Sequence, residues 1–350
     1  MQSVDYDIPI ADRIEGLLQP YENGCFVGQD AANERFLAGV KAGRLHHAWL
    51  LCGPVGVGKA SFAFRMARAF CELDQSQPLP DMETIVASSN ADNPVFRRIA
   101  SGGHPNILHL RIPLDEKTKK FKTRLSVDEV RRSVGFFGST AGEIGWRVAI
   151  VDNADQMTNQ AANALLKILE EPPEKTLFFL LSSQPGRLLP TIRSRCQQLD
   201  FKPLNYADLT TALSAASSGA ALNFDSLQHY NQYLGGSVRR AYQFLENDMA
   251  SLVDDCHALL ASQPNYDMAA LHGFANQVSV RGGDEKYNFF VDMIEEYISQ
   301  RLRLDNAPDT LVSLAEVWDK MRERIDLESR MNLDRKQTVL ALFHDVCEAS

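Results

Sequence analysis

A buried strand, a glycine-rich turn and the start of a helix follow one another without interruption near residue 50. Residues 48–52 are an apolar run that predicts the strand. Gly53, Gly58 and Lys59 then fit the spacing G-x-x-x-x-G-K, in which backbone N–H groups at a helix N-terminus and the lysine bind phosphate. Apolar side chains at helical spacing predict the helix, namely Ala63, Met66, Ala67, Phe70 and Cys71. A tight turn alone would also explain the glycines, but the order strand, loop and helix favours a phosphate-loop α/β fold.

The loop departs from this pattern at the residue that would hold Mg²⁺. A serine or threonine normally follows the lysine, because its hydroxyl is a metal ligand. Ala60 stands there instead, and Ser61 comes one residue later, about 100° further around the helix. With Gly56 inside the turn, the loop has the residues that bind phosphate and lacks the one that anchors the metal.

A later apolar strand, at residues 147–151, ends in the acidic residue Asp152. Phosphate-loop enzymes place a Mg²⁺ ligand at this position. The residue that follows is Asn153, and an asparagine cannot accept the proton of an attacking water as a carboxylate can. A plain buried strand that ends in a polar turn is the alternative interpretation, and the preceding phosphate loop favours the functional one.

Strands and helices alternate up to about residue 202. Further strands are predicted at 107–112, 177–181 and 197–201, and a helix that Pro172 and Pro173 end is predicted from residue 161. This alternation predicts a parallel sheet with helices on both faces and ligands at the carboxyl ends of the strands. Ser183 follows the strand at 177–181 and is therefore expected at that edge.

Three segments of this half allow two interpretations each. Gln29 and Asp30 precede a predicted helix at 31–42 and could lie near a bound base or form only a turn and a cap. Residues 115–124 are rich in lysine and predict either a contact with a nucleic-acid backbone or a solvated hairpin tip. Residues 74–103 are rich in Ser, Asn, Asp and Pro, which predicts a long loop or an insertion.

From about residue 203 the pattern is helical. A turn at Gly235 and Gly236 leads into a helix that starts with Arg239 and Arg240, an unfavourable place for cations without an anionic partner. A role of these arginines at a nucleotide and a purely solvated role are both open. Beyond residue 248 only apolar stripes at helical spacing occur, which are typical of a helical core or a subunit contact.

Composition excludes several classes of protein. The 350 residues carry a net charge of −9, which argues against a broad non-specific nucleic-acid footprint. The chain has neither an apolar run of about 18 residues nor an apolar N-terminal stretch, so neither a membrane span nor a signal peptide is expected. Six scattered cysteines without a C-x-x-C pair predict free thiols, no zinc and a cytoplasmic location.

Three further strings occur together with the phosphate loop, at residues 148–152 (VAIVD), 162–173 (ANALLKILEEPP) and 192–196 (IRSRC). In this combination the chain resembles the bacterial clamp-loader ATPase family, of the AAA+ class, over essentially its whole length. The resemblance implies an AAA+ parallel-sheet nucleotide-binding domain at 1–202, a small helical lid at 203–247 and an all-α collar at 248–350.

The resemblance also implies roles for individual residues. Arg195 matches the arginine finger that reaches the γ-phosphate of ATP held by a neighbouring subunit, where a guanidinium neutralises charge on the transferring phosphoryl group. Arg239 matches the sensor arginine of the lid, and Ser183 the polar sensor of the fourth strand. The nucleotide site would comprise these two and Gly53, Gly56, Gly58, Lys59, Ala60, Ser61 and Asp152.

The two departures, Ala60 and Asn153, make the chain similar to the non-hydrolysing stator subunits of that family. The implied partners are the motor ATPase subunits and the delta subunit in a hetero-pentameric ring, primer-template DNA and, indirectly, the sliding clamp, without a membrane. ATP hydrolysis is not expected, whereas ATP binding stays open because Lys59 permits it and the missing hydroxyl weakens it. Family members often carry four cysteines after the first helix, and only Cys71 is present here, so no metal is expected. An active motor ATPase and a nucleotide-binding protein outside replication are the alternatives.

Overall fold

The computed structural model describes residues 13–73, 79–115, 118, 121–138, 145–217, 222, 224, 227–247, 249–262, 265, 267–280, 283–304, 308–331 and 333–348. Its contacts divide the chain into two compact units. The first is Met1–Leu222 with Gly236–Arg239, and the second is Asn223–Gly235 with Arg240–Ser350. The division into domains at residues 202 and 247 stays a prediction.

The first unit is built on a five-stranded parallel sheet. Its strands are β1 Ala48–Cys52, β2 Ile107–Leu110, β3 Arg147–Val151, β4 Thr176–Ser182 and β5 Gln197–Asp200. They lie in the order β2-β3-β4-β1-β5. β1 and β4 are buried along their whole length, as expected of strands that helices cover on both faces. The predicted parallel α/β fold is confirmed.

Within the described ranges of this unit there are eight α-helices: α1 Asp30–Lys41, α2 Lys59–Glu72, α3 Met82–Ala87, α4 Pro94–Ala100, α5 Val127–Gly138, α6 Asn159–Glu170, α7 Pro190–Arg193 and α8 Tyr206–Ala216. They form a core on each face of the sheet. Phe36, Phe62 and Phe179 pack on one face, and Phe178 and Ile192 on the other. The neighbours Phe178 and Phe179 serve opposite cores because side chains alternate along a strand.

Of the predicted loop or insertion at residues 74–103, residues 79–103 are described, and they do not form a long loop. The segment contains α3 and α4, each with a side-chain cap: Asp81 accepts a hydrogen bond from Thr84 N, and Asn93 accepts from Val95 N. The residues taken as loop formers are thus caps of two short helices. The second strand also ends two residues earlier than predicted, at Leu110.

The lysine-rich segment is only partly described, since residues 116, 117, 119 and 120 lie outside the described part of the chain. Leu114 and Phe121, on either side of it, form an antiparallel bridge. This bridge supports the hairpin interpretation.

The second unit is helical wherever it is described. Its helices are α9 Leu227–Leu234, α10 Val238–Glu246, whose first two residues belong to the first unit, α11 Met249–Ala261, α12 Met268–Val278, α13 Asp284–Leu304, α14 Pro308–Met331 and α15 Arg335–Glu348. Phe274, Phe290 and Phe343 pack together at its centre. The predicted all-α C-terminal part is confirmed. None of the helices in the described ranges is both long and apolar enough to cross a membrane.

Candidate functional site

The phosphate loop requires glycine at two positions. Gly53 has φ +149°, and a Cβ there would lie 2.3 Å from the carbonyl oxygen of Phe201. Gly56 has φ +79°, and a Cβ there would lie 2.1 Å from Ser237 Oγ. The Gly56 carbonyl also accepts a hydrogen bond from Val238 N at 3.0 Å. The loop is therefore packed tightly between the strand ends and the segment that opens α10.

Lys59 is the first residue of α2 and is buried within the loop. Its Nζ donates hydrogen bonds to the carbonyl oxygens of Gly53 at 2.7 Å and Pro54 at 2.5 Å. Burial lowers the pKa of Lys59 to about 8, although Asp152 and Asp155 favour its charged form. Both of these hydrogen-bond acceptors are neutral carbonyl oxygens. A phosphate group would supply an anionic acceptor for this amine.

Gln29 connects the loop to the chain after β5. Its Nε2 donates to the carbonyl oxygens of Val57 at 3.1 Å and Lys202 at 2.6 Å, and its Oε1 accepts from Lys202 N at 2.9 Å. The residue adopts a left-handed conformation, with φ 61°, directly before α1. Both polar atoms of the amide are used, which supports the turn interpretation over a contact with a base.

A cavity of ≈ 470 Å³ lies behind the loop, a volume typical of small-molecule sites. The predicted site residues that line it are Gly56, Gly58, Lys59, Ala60, Ser61, Asp152, Ser183 and Arg239. Apolar residues also line the cavity, with Leu18, Phe26 and Leu204 among them. Gly53 does not line the cavity and contributes only its carbonyl to Lys59. The structure thus brings eight of the nine predicted nucleotide residues together around one space.

Of the two arginines predicted at the start of α10, only one lines the cavity. Arg239 lines the cavity, whereas Arg240 forms an ion pair of 2.5 Å with Asp292 within the second unit. That partner explains how a cation is tolerated near the start of α10. Of the two arginines, Arg239 is therefore the one placed to contact a ligand in the cavity.

At the acidic end of the cavity, Asp152 faces a histidine that the sequence analysis did not single out. His109 Nε2 lies 3.7 Å from Asp152 Oδ2, and Asn153 N donates to Oδ1 at 3.0 Å. The pairing of β2 with β3 sets His109 opposite Ile150, so His109 and Asp152 share a face of the sheet as diagonal neighbours. Burial raises the pKa of Asp152, but His109 and the Asn153 N–H lower it more, and the net shift is downward.

The residues that follow Asp152 are also engaged. Asn153 adopts a left-handed turn conformation, with φ 50°. Asp155 accepts hydrogen bonds from Ser183 N at 3.3 Å and Ser183 Oγ at 3.5 Å. The polar group after β4 is therefore bound to a carboxylate of the same unit.

The residues at this end do not fit Mg²⁺. A phosphate-loop site holds the ion between a hydroxyl after the lysine and a carboxylate after the strand. Here the first position is the methyl group of Ala60, and the second, Asp152, faces His109. Among the residues that the structure describes, no group of three or more His, Cys, Asp or Glu side chains could hold a metal ion.

Arg195 lies outside the cavity lining, after the short helix α7. Its guanidinium donates to Glu170 Oε1 at 2.7 Å and to the carbonyl oxygen of Thr191 at 3.0 Å. The side chain is 36% exposed. Beside it, burial raises the pKa of the Cys196 thiol to about 12, which makes that cysteine a packing residue. The predicted finger is thus oriented by two anchors at the surface.

A parallel sheet with a phosphate loop after β1 and an acidic residue after β3 defines a phosphate-loop protein of the α/β class. The chain belongs to the family described as DNA polymerase III, delta subunit, whose model matches residues 28–205, half of the chain.

Curated relatives agree with this assignment. The delta-prime subunit of DNA polymerase III from Bacillus subtilis is 38% identical over 166 residues, 47% of this chain and 45% of that protein. The delta-prime subunit of Escherichia coli is 31% identical over 242 residues, 68% of this chain and 66% of that protein. The gamma/tau subunit of Mycobacterium bovis is 28% identical over 346 residues, 90% of this chain and 56% of that protein. The chain spans about half the length of the curated relatives it matches first.

Proposed function

We propose that the chain is a stator of the delta-prime type in a DNA polymerase III clamp loader. In this role it hydrolyses no ATP and supplies Arg195 in trans to a neighbouring ATPase subunit. The observation that carries the proposal is a contrast within one unit: a partly exposed, oriented arginine outside the cavity, and a phosphate loop that has no hydroxyl after its lysine.

The chemistry of Arg195 supports the trans role. A planar guanidinium can present two parallel N–H donors to phosphate oxygens, and it stays charged at any physiological pH. Glu170 and Thr191 hold the side chain from within the chain, at a surface that a neighbouring subunit can approach. An arginine placed at a neighbour's γ-phosphate stabilises the charge of the transition state and is worth on the order of 10³–10⁵ in turnover.

The partners that follow from this proposal are the motor ATPase subunits and the delta subunit of a five-membered ring. The ring would use ATP to load the sliding clamp onto primed DNA. Similarity to both delta-prime and gamma/tau subunits supports membership of such an assembly.

An active motor subunit is the second candidate, and the well-formed phosphate loop favours it. In that case Ser61 or water would hold the metal. Ala60→Ser then distinguishes the two functions. The substitution should leave the turnover of a stator at background, and should raise the turnover of a motor that lacks only its anchor.

The first test is steady-state ATP hydrolysis by the purified chain, with Lys59→Ala as its control. A stator gives the same background rate for both proteins. Turnover that the control lacks would establish a motor and remove the stator proposal.

The second test uses a mixed assembly of this chain with motor subunits and the delta subunit. Replacement of the wild-type chain by Arg195→Ala should lower ATP turnover at the one motor site that Arg195 faces by about 10³-fold, without loss of assembly on a sizing column. Full turnover with the variant would exclude the trans role of Arg195.

A further inference from the structure

We infer that the cavity behind the phosphate loop binds a nucleoside di- or triphosphate without Mg²⁺. The inference goes beyond the stator role, because that role requires only Arg195 and leaves the chain's own cavity without a task. It rests on a difference between two parts of the same cavity. The phosphate end is the part at Lys59 and Arg239, and the metal end is the part at Ala60 and Asp152.

The phosphate end has the groups that bind an anion. Lys59 and Arg239 line the cavity, and the N-terminus of α2 opens onto it with Gly58, Ala60 and Ser61. Backbone N–H groups at the start of a helix and a partial positive charge favour phosphate there. Lys59 has only carbonyl oxygens as hydrogen-bond acceptors within the loop, and a phosphate oxygen would be a stronger acceptor.

The apolar residues of the cavity suit the remainder of a nucleotide. Leu18, Phe26 and Leu204 are among them, and they line the cavity together with the polar groups of the loop. An apolar wall with a few converging polar groups is the usual composition of a small-molecule site. The volume of ≈ 470 Å³ is enough for a base and a sugar beside the phosphates.

The metal end offers no place for a bridging cation. Ala60 has no oxygen to donate, and the Asp152 carboxylate already faces His109 and the Asn153 N–H. Asp155 is engaged by Ser183. With no ion to link carboxylate and phosphate, Asp152 acts on a bound polyphosphate only as a negative charge, and it repels that ligand.

The expected change in nucleotide affinity on removal of the Asp152 charge is therefore opposite in sign to the change expected of an ordinary phosphate-loop site. Where Mg²⁺ bridges the acidic residue and the phosphates, removal of either the ion or the carboxylate weakens nucleotide binding. In this chain, removal of the ion should change little, and removal of the carboxylate charge should strengthen binding.

The experiment is a titration of the full chain with a fluorescent ADP derivative, in EDTA and in millimolar Mg²⁺. We expect saturable binding that Lys59→Ala abolishes, with dissociation constants in the two buffers within about threefold of each other. A loss of affinity of tenfold or more in EDTA would overturn the inference. Absence of binding in both buffers would also overturn it.

The second arm compares Asp152→Asn with Asp92→Asn, which makes the same charge change at an exposed residue far along the chain. Asp152→Asn should bind the probe about threefold more tightly in EDTA, and Asp92→Asn should match the wild type. Weaker binding by an Asp152→Asn protein of wild-type melting temperature would contradict the inference. Neither arm involves Arg195, so failure here and failure of the stator proposal are separately observable.

Discussion

The cavity and the surface at Arg195 use basic side chains in opposite settings. In the cavity, Lys59 is buried, its pKa is lowered, and carbonyl oxygens of its own loop accept its hydrogen bonds. At the surface, Arg195 is partly exposed and paired with a carboxylate of another helix. In the functions proposed above, Lys59 binds a ligand inside the unit and Arg195 acts on a partner outside it.

The comparison shows which positions of a phosphate-loop unit can differ from the usual residues while the fold is kept. Ala60 and Asn153 both line the cavity. They stand where the phosphate-loop pattern has the hydroxyl that holds Mg²⁺ and the carboxylate that activates water. Neither lies at the tight glycines of the loop, whose backbone is packed against Phe201 and Ser237. An alanine at position 60 is therefore compatible with the tight packing of the loop.

The largest effect should come from Arg195→Lys in the mixed assembly. A lysine keeps the positive charge but cannot form the planar pair of hydrogen bonds, so we expect ATP turnover at the motor site that Arg195 faces to fall by at least about 10²-fold. Arg193→Lys, two residues earlier at the exposed last position of α7, is the matched control and should stay within twofold of the wild type. Equal losses in the two variants would contradict the special role of Arg195.

The next effect concerns the packing of the loop. Gly56→Ala adds left-handed strain and a Cβ that contacts Ser237 Oγ, so the free energy of unfolding should fall by about 2–3 kcal/mol. Gly58→Ala has the strain, with φ +101°, but its nearest atom is 3.8 Å away, and it should lose about 1–2 kcal/mol. Urea unfolding measures both. Part of the Gly56→Ala loss should return in the double variant with Ser237→Ala, and a Gly58→Ala loss larger than that of Gly56→Ala would show that the contact is unimportant.

A pH dependence should distinguish the buried lysine. Burial gives Lys59 a folded-state pKa of about 8, below its ordinary value, and the charged neighbours Asp152 and Asp155 act against this shift. Nucleotide affinity should therefore fall by about tenfold between pH 7 and pH 9, because the amine loses its proton in the free protein. The unfolded chain binds this proton more tightly than the folded one, so the same group makes the free protein more stable as pH rises above about 8. Binding by Lys59→Arg should be flat over this range, and a wild-type pH profile in that variant would exclude Lys59 as the titrating group.

The smallest effect is expected from the anchor of the finger. Ion pairs exposed to this extent contribute little, so Glu170→Gln should lower the turnover of the mixed assembly by only about two- to threefold. Glu171→Gln, the adjacent carboxylate, is the control and should have no effect. An increase in turnover with Glu170→Gln would show that the carboxylate restrains Arg195 instead of orienting it.

Much of this architecture is predictable from the sequence because it depends on local order. The phosphate loop, the apolar strands and Asp152 follow from residues close together in the chain. Proline and glycine positions also place the ends of elements such as α6. The helices α3 and α4 escaped prediction because each is short, and their Asp and Asn caps resemble the composition of a loop.

The contacts that decide the chemistry were harder to predict. His109 meets Asp152 only because β2 and β3 are neighbours in a particular register, and that register involves residues about 40 apart in the chain. Glu170, the last residue of α6, meets Arg195, which follows α7, although β4 lies between these two helices in the chain. The alternation of side chains along β2 could have pointed to His109 once the strand order was known, but the sequence does not contain that order in a local pattern.

The amide of Gln29 has a consequence for which residues can occupy that position. It donates two hydrogen bonds to carbonyl oxygens and accepts one from a backbone N–H, across 173 residues of chain. A glutamate would turn an anionic oxygen towards the carbonyls of Val57 and Lys202, and a lysine could accept nothing from Lys202 N. Only a side chain that is donor and acceptor at once, and of this length, closes the junction. A single neutral amide therefore couples the start of α1, the phosphate loop and the end of β5. Gln29→Glu replaces the amide nitrogen by an oxygen, and this change of one atom is enough to test that coupling.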